Sequence, residues 1–341
     1  MLVESSRGGV VETRHRIHAA VVSADGSLVA HTGDPAFVTF WRSGAKPFQA
    51  MPLLLDGVIE HFAMTVPELA LCCASHSSEP PQVQLVRDLL ARIGCAERDL
   101  LCGPHPPLSE RVAQDYATRG VRLTAAYSNC SGKHAGMLAL ARHHGWPVER
   151  YTSGDHPVQQ RCLAEIARWT AIPESRIATA VDGCGVRTFA IPVRNMALAY
   201  ARLANAERGT GNAEPGGAAP FRVPTSAFSV VEAMLRFPEL IAGVGRPCTD
   251  MMRAHPGRVV AKVGAAGVYC GLLTREGWGI ALKVEDGSGP AAVLAMAATL
   301  AELGLRPQPA HLLSQPIPNT RGEPVGEMRV NGTLEREKGG E

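Results

Sequence analysis

The chain reads as an α+β protein, with an antiparallel sheet built from its N- and C-terminal segments and a mainly helical insert between them. Three observations predict this. The first forty residues alternate and turn like short antiparallel strands. β-Prone runs return after about residue 255. Between about 43 and 250, apolar periodicity with helix start and stop signals dominates. Sheet segments at about 1–40 and 255–330 need each other, so residues 1–341 are expected to form a single unit.

Each element has its own signal. Residues 9–13 are β-prone, and 16–22 form a second strand in which Ile17, Ala19 and Val21 alternate. Asp25-Gly26 supplies a hairpin turn, and 28–31 continues the meander. Residues 37–41 are extended and lead into Ser43. In the helix that follows, Pro47 is tolerated early, whereas Pro52 must kink or divide it. Residues 65–72 are helical: Thr65 can cap, Pro67 fits the first turn, and Glu68 stands three after Thr65. Residues 82–93 are amphipathic, with Val83, Val86, Leu89 and Leu90 on one side, and 109–118 is helical. The run Asn129-Cys130-Ser131-Gly132-Lys133-His134-Ala135-Gly136 opens a helix that Gly145 and Pro147 end. Its small residues permit close backbone approach. Residues 177–181 are β-prone, and 158–170, 196–205 and 225–236 are helical. The Gly-, Ala- and Pro-rich 207–220 reads as a flexible surface loop with the makings of a lid. Strands follow at 258–263, 267–273 and 278–284, then an alanine-rich helix at about 291–303 and a β-prone 325–330.

Composition excludes several function classes. Charged residues are 19% and apolar residues 45%, as in ordinary globular proteins. A net charge of +2 gives no reason to expect nucleic acid or an anionic membrane as partner, and 5% aromatics argue against base stacking. No apolar run reaches the roughly 18 residues of a membrane span. The N-terminus lacks an apolar signal region, so a cytoplasmic location is expected. Nine scattered cysteines, an odd number, indicate thiols rather than a disulfide framework.

The chemistry gathers at Arg42-Ser43-Gly44-Ala45-Lys46-Pro47. On a helix, Ser43 and Lys46 fall on one face. A serine hydroxyl needs an adjacent base, and a desolvated lysine can serve as one. The plain alternative is an N-capping serine with a solvated lysine. Ala74-Ser75-His76-Ser77-Ser78 is either a serine-rich turn or a second layer of catalytic groups. Asp182, in Asp182-Gly183-Cys184-Gly185, is a turn residue or a carboxylate aimed at a ligand amine. Ser-x-x-Lys and the order of elements resemble the β-lactamase/penicillin-binding fold, and Lys262-Val263-Gly264 is similar to its Lys-Thr-Gly strand motif with valine in the middle. Ser128-Asn129 is only faintly similar to its Ser-Asp-Asn.

A narrower resemblance covers about residues 1–330. The stretches 42–50, 74–77, Asn129-Cys130-Ser131-Gly132-Lys133-His134-Ala135-Gly136-Met137, Asp182-Gly183-Cys184-Gly185 and Lys283-Val284-Glu285-Asp286-Gly287 resemble the signatures of the L-asparaginase II family of the Rhizobium etli inducible type. The resemblance implies hydrolysis of L-asparagine to L-aspartate and ammonia on a β-lactamase-like fold, as a homodimer. It implies two catalytic pairs, Ser43 with Lys46 and Ser75 with Lys262, and a zinc ion (Zn2+) held by Cys130, Lys133 and Cys184. Spacing alone would make those cysteines buried thiols. The implied set is still coherent, because zinc favours tetrahedral N/S ligation and three protein ligands leave one position open. Arg42, His134 and Asp182 are candidates for the substrate's α-amino and α-carboxylate groups.

Ser43 is expected to attack the amide carbonyl with Lys46 as base, and Ser75 is the alternative nucleophile. Two residues depart from the family pattern: Ser78 stands where glycine usually follows Ser-His-Ser, and Ala266 where a glutamate is usual. Two other classes stay open. One is a different Ser/Lys amidohydrolase, such as a glutaminase or a β-lactam or peptide hydrolase. The other is a non-enzymatic zinc- or redox-responsive binding protein.

Overall fold

A computed structural model describes residues 1–206 and 229–337. The expected class holds: strands from both ends of the chain form an antiparallel sheet, and the middle is mainly helical. Among the described residues, the strands are β1 (Leu2–Arg7), β2 (Val10–Val22), β3 (Leu28–Thr32), β4 (Val38–Phe40), β5 (Ala178–Val181), β6 (Arg187–Pro192), β7 (Val259–Val263), β8 (Val268–Leu273), β9 (Trp278–Val284), β10 (Ser314–Pro318), β11 (Pro324–Asn331) and β12 (Glu335–Arg336). The chain groups into two compact units. One comprises Met1–Gly44, Ala190–Asn205 and Asp250–Glu341, and the other Ala45–Phe189 and Ala206–Thr249.

In the first unit the main sheet runs β10-β11-β1-β2-β9-β8-β7, with β3 on β2 and β12 on β3. Two short N-terminal strands were expected at 9–13 and 16–22, but β2 is continuous. Its first half pairs with β1 and its second with β3 and β9. The exposed first half carries Glu12, Thr13, Arg14 and Arg16, so it shows none of the alternation by which a strand is recognised. Strand β1 was not foreseen. It turns into β2 through Gly8 (φ +56°) and Gly9 (φ +81°), a left-handed pair that only glycine adopts without cost. Strand β10 was hidden by Pro316 and Pro318, which a sheet tolerates at an edge, where β10 lies. The second half of β2, with β8 and β9, is buried, and each fully buried aliphatic there is worth about 1.5–3 kcal/mol. The helix Gly289–Glu302 packs on β8, β9, β11 and β1. Helix Val193–Ala206 meets β9 so closely that a Cβ on Gly279 would overlap the Ala197 carbonyl oxygen.

The helical unit follows its start and stop signals. The segment after residue 45 is divided before Pro52, giving helices Lys46–Gln49 and Met51–Leu55. Helix Val66–Cys72 starts at the expected box, where Glu68 Oε2 accepts the Thr65 N–H at 2.7 Å and also takes Arg92 Nη1 at 2.6 Å. Helix Ser131–His144 ends at Gly145 with φ +69°. Pro80–Arg92, Glu110–Thr118 and Pro157–Thr170 match the expected helices to within about two residues. Val58–His61 is an additional single turn, and β6, also unforeseen, pairs with β4 and neighbours β5. The expected loop at 207–220 and the start of the expected 225–236 helix lie outside the described residues; that helix is seen as Val230–Arg236. Among the described residues no helix is long and apolar enough to cross a membrane.

Candidate active site

Lys46 opens its helix with only 1% of its surface exposed. Its ammonium donates to Ala74 O at 2.6 Å, Ser75 Oγ at 3.0 Å and Asn129 O at 3.3 Å, which engages all three donors. The sequence pairs Lys46 with Ser43, whereas the structure gives its hydrogen bonds to Ser75 and two main-chain carbonyls. Ser75 is 3% exposed, and the 75–78 segment is buried rather than a surface turn. Its backbone is pinned: Ser75 N–H donates to Ile241 O at 2.8 Å, and Ser77 Oγ to Ala242 O at 2.8 Å. Ser78 takes φ +60°, a left-handed conformation in which glycine costs nothing, and its hydroxyl holds Tyr127 O at 2.5 Å.

Beside this pair stand two sulfurs and an amine. Cys130 precedes helix Ser131–His144 and Lys133 lies in its first turn. Cys184 comes from the tight turn after β5, where Gly185 N–H bonds back to Asp182 O. Lys133 Nζ donates to Cys184 Sγ at 3.0 Å. A hydrogen bond from the Cys184 thiol pulls the Cys130 thiol well below its ordinary range. The charges of Lys46 and Lys133 add to this, against the cost of burial. The same bond and burial hold Cys184 protonated. The two sulfurs thus favour a single thiolate, on Cys130, beside the Lys133 ammonium. Asp182 is half-exposed and adds to the negative field at Lys133. Gly132 lets this corner form: a Cβ there would sit 2.3 Å from Leu71 O.

Two buried histidines flank the cluster, and both are neutral. His76 Nδ1 accepts the Ser78 N–H at 3.1 Å. Its Nε2–H donates to Ser131 Oγ at 2.8 Å, which in turn donates to Ala126 O. Burial, reinforced by Lys46, pushes His76 down to about 3. Burial and the Lys133 charge likewise hold His134 well below its usual range. Tyr151 OH accepts the Leu101 N–H and donates to His134 Nδ1 at 2.6 Å, leaving Nε2–H as a buried donor without a partner. Because the folded pKa of His76 lies below the unfolded value of about 6.5, its contribution to stability is complete above pH 6.5 and is lost as pH falls towards 3. Urea titrations at pH 7 and pH 5 should therefore show about 2 kcal/mol lost through His76 alone, with His134 acting in the same direction. In a His76→Asn variant that part of the pH slope should vanish.

The remaining motif residues lie in the sheet unit. Trp41 Nε1–H donates to Cys270 Sγ at 3.2 Å, and Tyr200 OH to Gly44 O at 2.8 Å. Between these anchors, Arg42 takes φ +53° and Ser43 is half-buried in the 3-10 turn Arg42–Ala45. Lys262, fully buried on β7, donates to Val263 O at 2.8 Å. Ala266, in the turn after β7, takes φ +53°, and its carbonyl accepts Lys283 Nζ at 2.5 Å. The non-glycine residues with positive φ include Arg42, Ser78 and Ala266, all in or beside the motifs; such strain persists only where the surroundings enforce it. Lys283 was not among the candidate site residues. Its signals were its place in the family-like stretch Lys283-Val284-Glu285-Asp286-Gly287, to which no role was attached, and a lone lysine in an apolar strand.

The family model for L-asparaginase II matches residues 3–330. The chain belongs to the L-asparaginase II family. Membership makes it a hydrolase of the amidohydrolase kind with a small-molecule substrate. No curated protein matches this L-asparaginase II chain significantly by sequence. Among solved structures, it is similar to a β-lactamase from Mycobacterium bovis, at 16% identity and TM-score 0.38 over 84% of this chain and 94% of that one. It is also similar to a mutant of simvastatin synthase from Aspergillus terreus, at 10% identity and TM-score 0.32 over 79% and 86%.

Zinc is the metal that the family resemblance implies for this L-asparaginase II chain, with Cys130, Lys133 and Cys184 as its ligands. Among the described residues no three His, Cys, Asp or Glu side chains are grouped to hold a metal. The cluster supplies two sulfurs, the Cys130 thiol held below its ordinary range, and the Lys133 nitrogen at 3.0 Å from Cys184 Sγ. This fits a tetrahedral N/S site with an open position, provided Lys133 gives up its proton on binding.

Proposed function

We propose that this protein hydrolyses L-asparagine to L-aspartate and ammonia by Ser–Lys acyl transfer. The observation that supports it most is the buried Lys46 ammonium at 3.0 Å from Ser75 Oγ, in a motif whose Ser43 stands three residues before Lys46. Ser43, the more exposed serine, attacks the side-chain amide carbonyl while Lys46, having first released a proton to become the neutral amine, takes its hydroxyl proton. The tetrahedral adduct collapses, the nitrogen gains a proton and ammonia leaves. Water then hydrolyses the ester to aspartate, its proton returning to Ser43. Ser75 relays protons to Lys46, and Lys262 holds positive charge. Arg42, Asp182 and the unpartnered His134 Nε2–H are assigned to the α-amino and α-carboxylate groups. Cys130, Lys133 and Cys184 would hold zinc, which supplies Lewis-acid polarisation when bound. The active form is a cytoplasmic homodimer. A second reading makes Ser75 the nucleophile, favoured by its direct bond to Lys46.

The test is ammonia release from L-asparagine and L-glutamine by wild type, Ser43→Ala and Ser75→Ala, each with and without zinc. Asparagine turnover should fall by about 10³-fold or more in Ser43→Ala. Turnover surviving in Ser43→Ala and lost in Ser75→Ala would exchange the two roles. Release from glutamine alone would make the protein a glutaminase, and no release from either amide would overturn the proposal.

A further inference from the structure

Lys283 on β9 is buried, at 7% exposure, yet its ammonium makes one hydrogen bond, to the Ala266 carbonyl. Among the described residues no carboxylate lies within ion-pair distance of it. The two acidic residues that follow it are engaged elsewhere: Glu285 with Arg16 at 3.5 Å and Asp286 with His15 at 2.6 Å. The negative fields of both reach Lys283, but neither carboxylate bonds to its ammonium, and two of its three N–H donors remain unused.

The neighbouring residue repeats the pattern. In the β2–β9 register His18 stands directly across from Lys283. His18 Nδ1 accepts the Asp34 N–H at 3.0 Å, so the ring proton is on Nε2. That Nε2–H is buried and has no hydrogen-bond partner; Glu285 Oε2 stops 3.6 Å away. Phe37 stacks on the ring at 4.2 Å between centroids and fixes its plane. Two buried donors, one of them charged, therefore stand side by side with unused hydrogen-bonding capacity.

Their place in the sheet decides what they face. Lys262 pairs with Cys270, Cys270 with Ala281, and Val268 with Lys283. Because side chains alternate along strands, Lys262, Cys270, Lys283 and His18 share one face. Trp41 is bonded to Cys270 on that face, and a Cβ on Gly44 would lie 3.1 Å from the same sulfur. Ser43 lies between Trp41 and Gly44. The turn held by Lys283 also reaches this segment, since a Cβ on Gly264 would be 3.1 Å from Trp41 O. With alanine at 266, the turn offers no side-chain carboxylate to compete for the ammonium.

We infer that Lys283, with His18 Nε2–H beside it, binds the α-carboxylate of the amino-acid substrate and so sets specificity for a free amino acid over a simple amide. This rests on the amidohydrolase reading, and the test separates the two. Binding of L-aspartate, and of β-alanine, which is aspartate without its α-carboxylate, is measured by calorimetry on wild type, Lys283→Met and Lys283→Arg. Turnover of L-asparagine and 3-aminopropanamide is measured on the same proteins. Lys283→Met should weaken L-aspartate and raise KM for asparagine by about 10- to 100-fold, leaving β-alanine and 3-aminopropanamide unchanged. Lys283→Arg should restore much of the loss, which a folding defect would not allow. Equal loss on both members of each pair would show that Lys283 acts only through the Ala266 turn, and would overturn the inference. Lys283-dependent aspartate binding without ammonia release would sink the amidohydrolase reading alone. No aspartate binding by wild type would sink the carboxylate site.

Discussion

Lys46→Met is expected to lower asparagine kcat/KM by about 10³-fold or more while the protein stays folded. Methionine fills a similar volume at a position only 1% exposed, so the local packing is kept. The loss is chemical: no base remains to take a serine proton, and Ser75 Oγ loses its donor. Three oxygens, Ala74 O, Ser75 Oγ and Asn129 O, also lose a hydrogen-bond partner. Each such loss costs about 1–3 kcal/mol, offset in part because a buried ammonium no longer has to be desolvated. The decisive comparison is single-turnover ammonia release against a urea melt. A 10³-fold rate loss at a stability change of a few kcal/mol places Lys46 in the chemistry. Retention of more than about a tenth of wild-type turnover would remove it from the mechanism.

Gly132→Ala should have the largest effect on stability among substitutions in the helical unit that add one carbon. The new Cβ would lie 2.3 Å from Leu71 O and 2.7 Å from Leu71 Cγ. Leu71 O is backbone, so helices Val66–Cys72 and Ser131–His144 would have to move apart. Overpacking of this kind costs about 3 kcal/mol, or roughly 6–12 °C in Tm for a unit of this size. The separation would carry Cys130 and Lys133 away from Cys184 and shift Ala74–Ser75, three residues beyond Leu71. Gly145→Ala is the control. It has φ +69° but open space around it, so it should cost about 1 kcal/mol and leave the site untouched. Thermal melts of the two variants side by side would decide. Equal losses would mean that the close approach at Gly132 is not what limits the packing.

Where local signals were strong, the sequence foretold the structure. Thr65 with Glu68, Gly145 after a long apolar helix, and the strand–turn–strand at 268–284 each carry their own instruction. Elements fixed from a distance were not legible. Strand β1, and the continuity of β2 through residues 14 and 15, follow from the pairing of these strands with each other and of β1 with β11, not from composition. The motif serines and lysines could be found by resemblance and spacing, but the hydrogen bond of Lys46 to Ser75 depends on where the 74–78 segment is buried. The capacity of Lys133 and the two cysteines to converge had no sequence signal beyond family likeness. Lys283 stood in a family-like stretch but received no role, because a lysine in a strand normally reaches solvent. Ser78 is instructive in another way: its φ of +60° explains physically why glycine suits that position and why serine needs the bond to Tyr127 O.

The pairing of β1 with both β2 and β11 has a consequence during synthesis. Leu2 stands opposite Asn331 and Arg7 opposite Gly326, so β1 must wait for a partner made about 320 residues later. At about 5–20 residues per second that delay is some 15–65 s on the ribosome. In that interval β1 and β2 can form only a hairpin with an open edge, while β9, the central partner of β2, is also still unmade. Such an edge is a template for pairing with other nascent chains. Its protection would fall to Glu4, Arg7, Glu12, Arg14 and Arg16, charges that pair as Arg7–Glu12, Arg14–Glu4 and Arg16–Glu285 in the finished sheet and also suit a strand kept waiting for its neighbour.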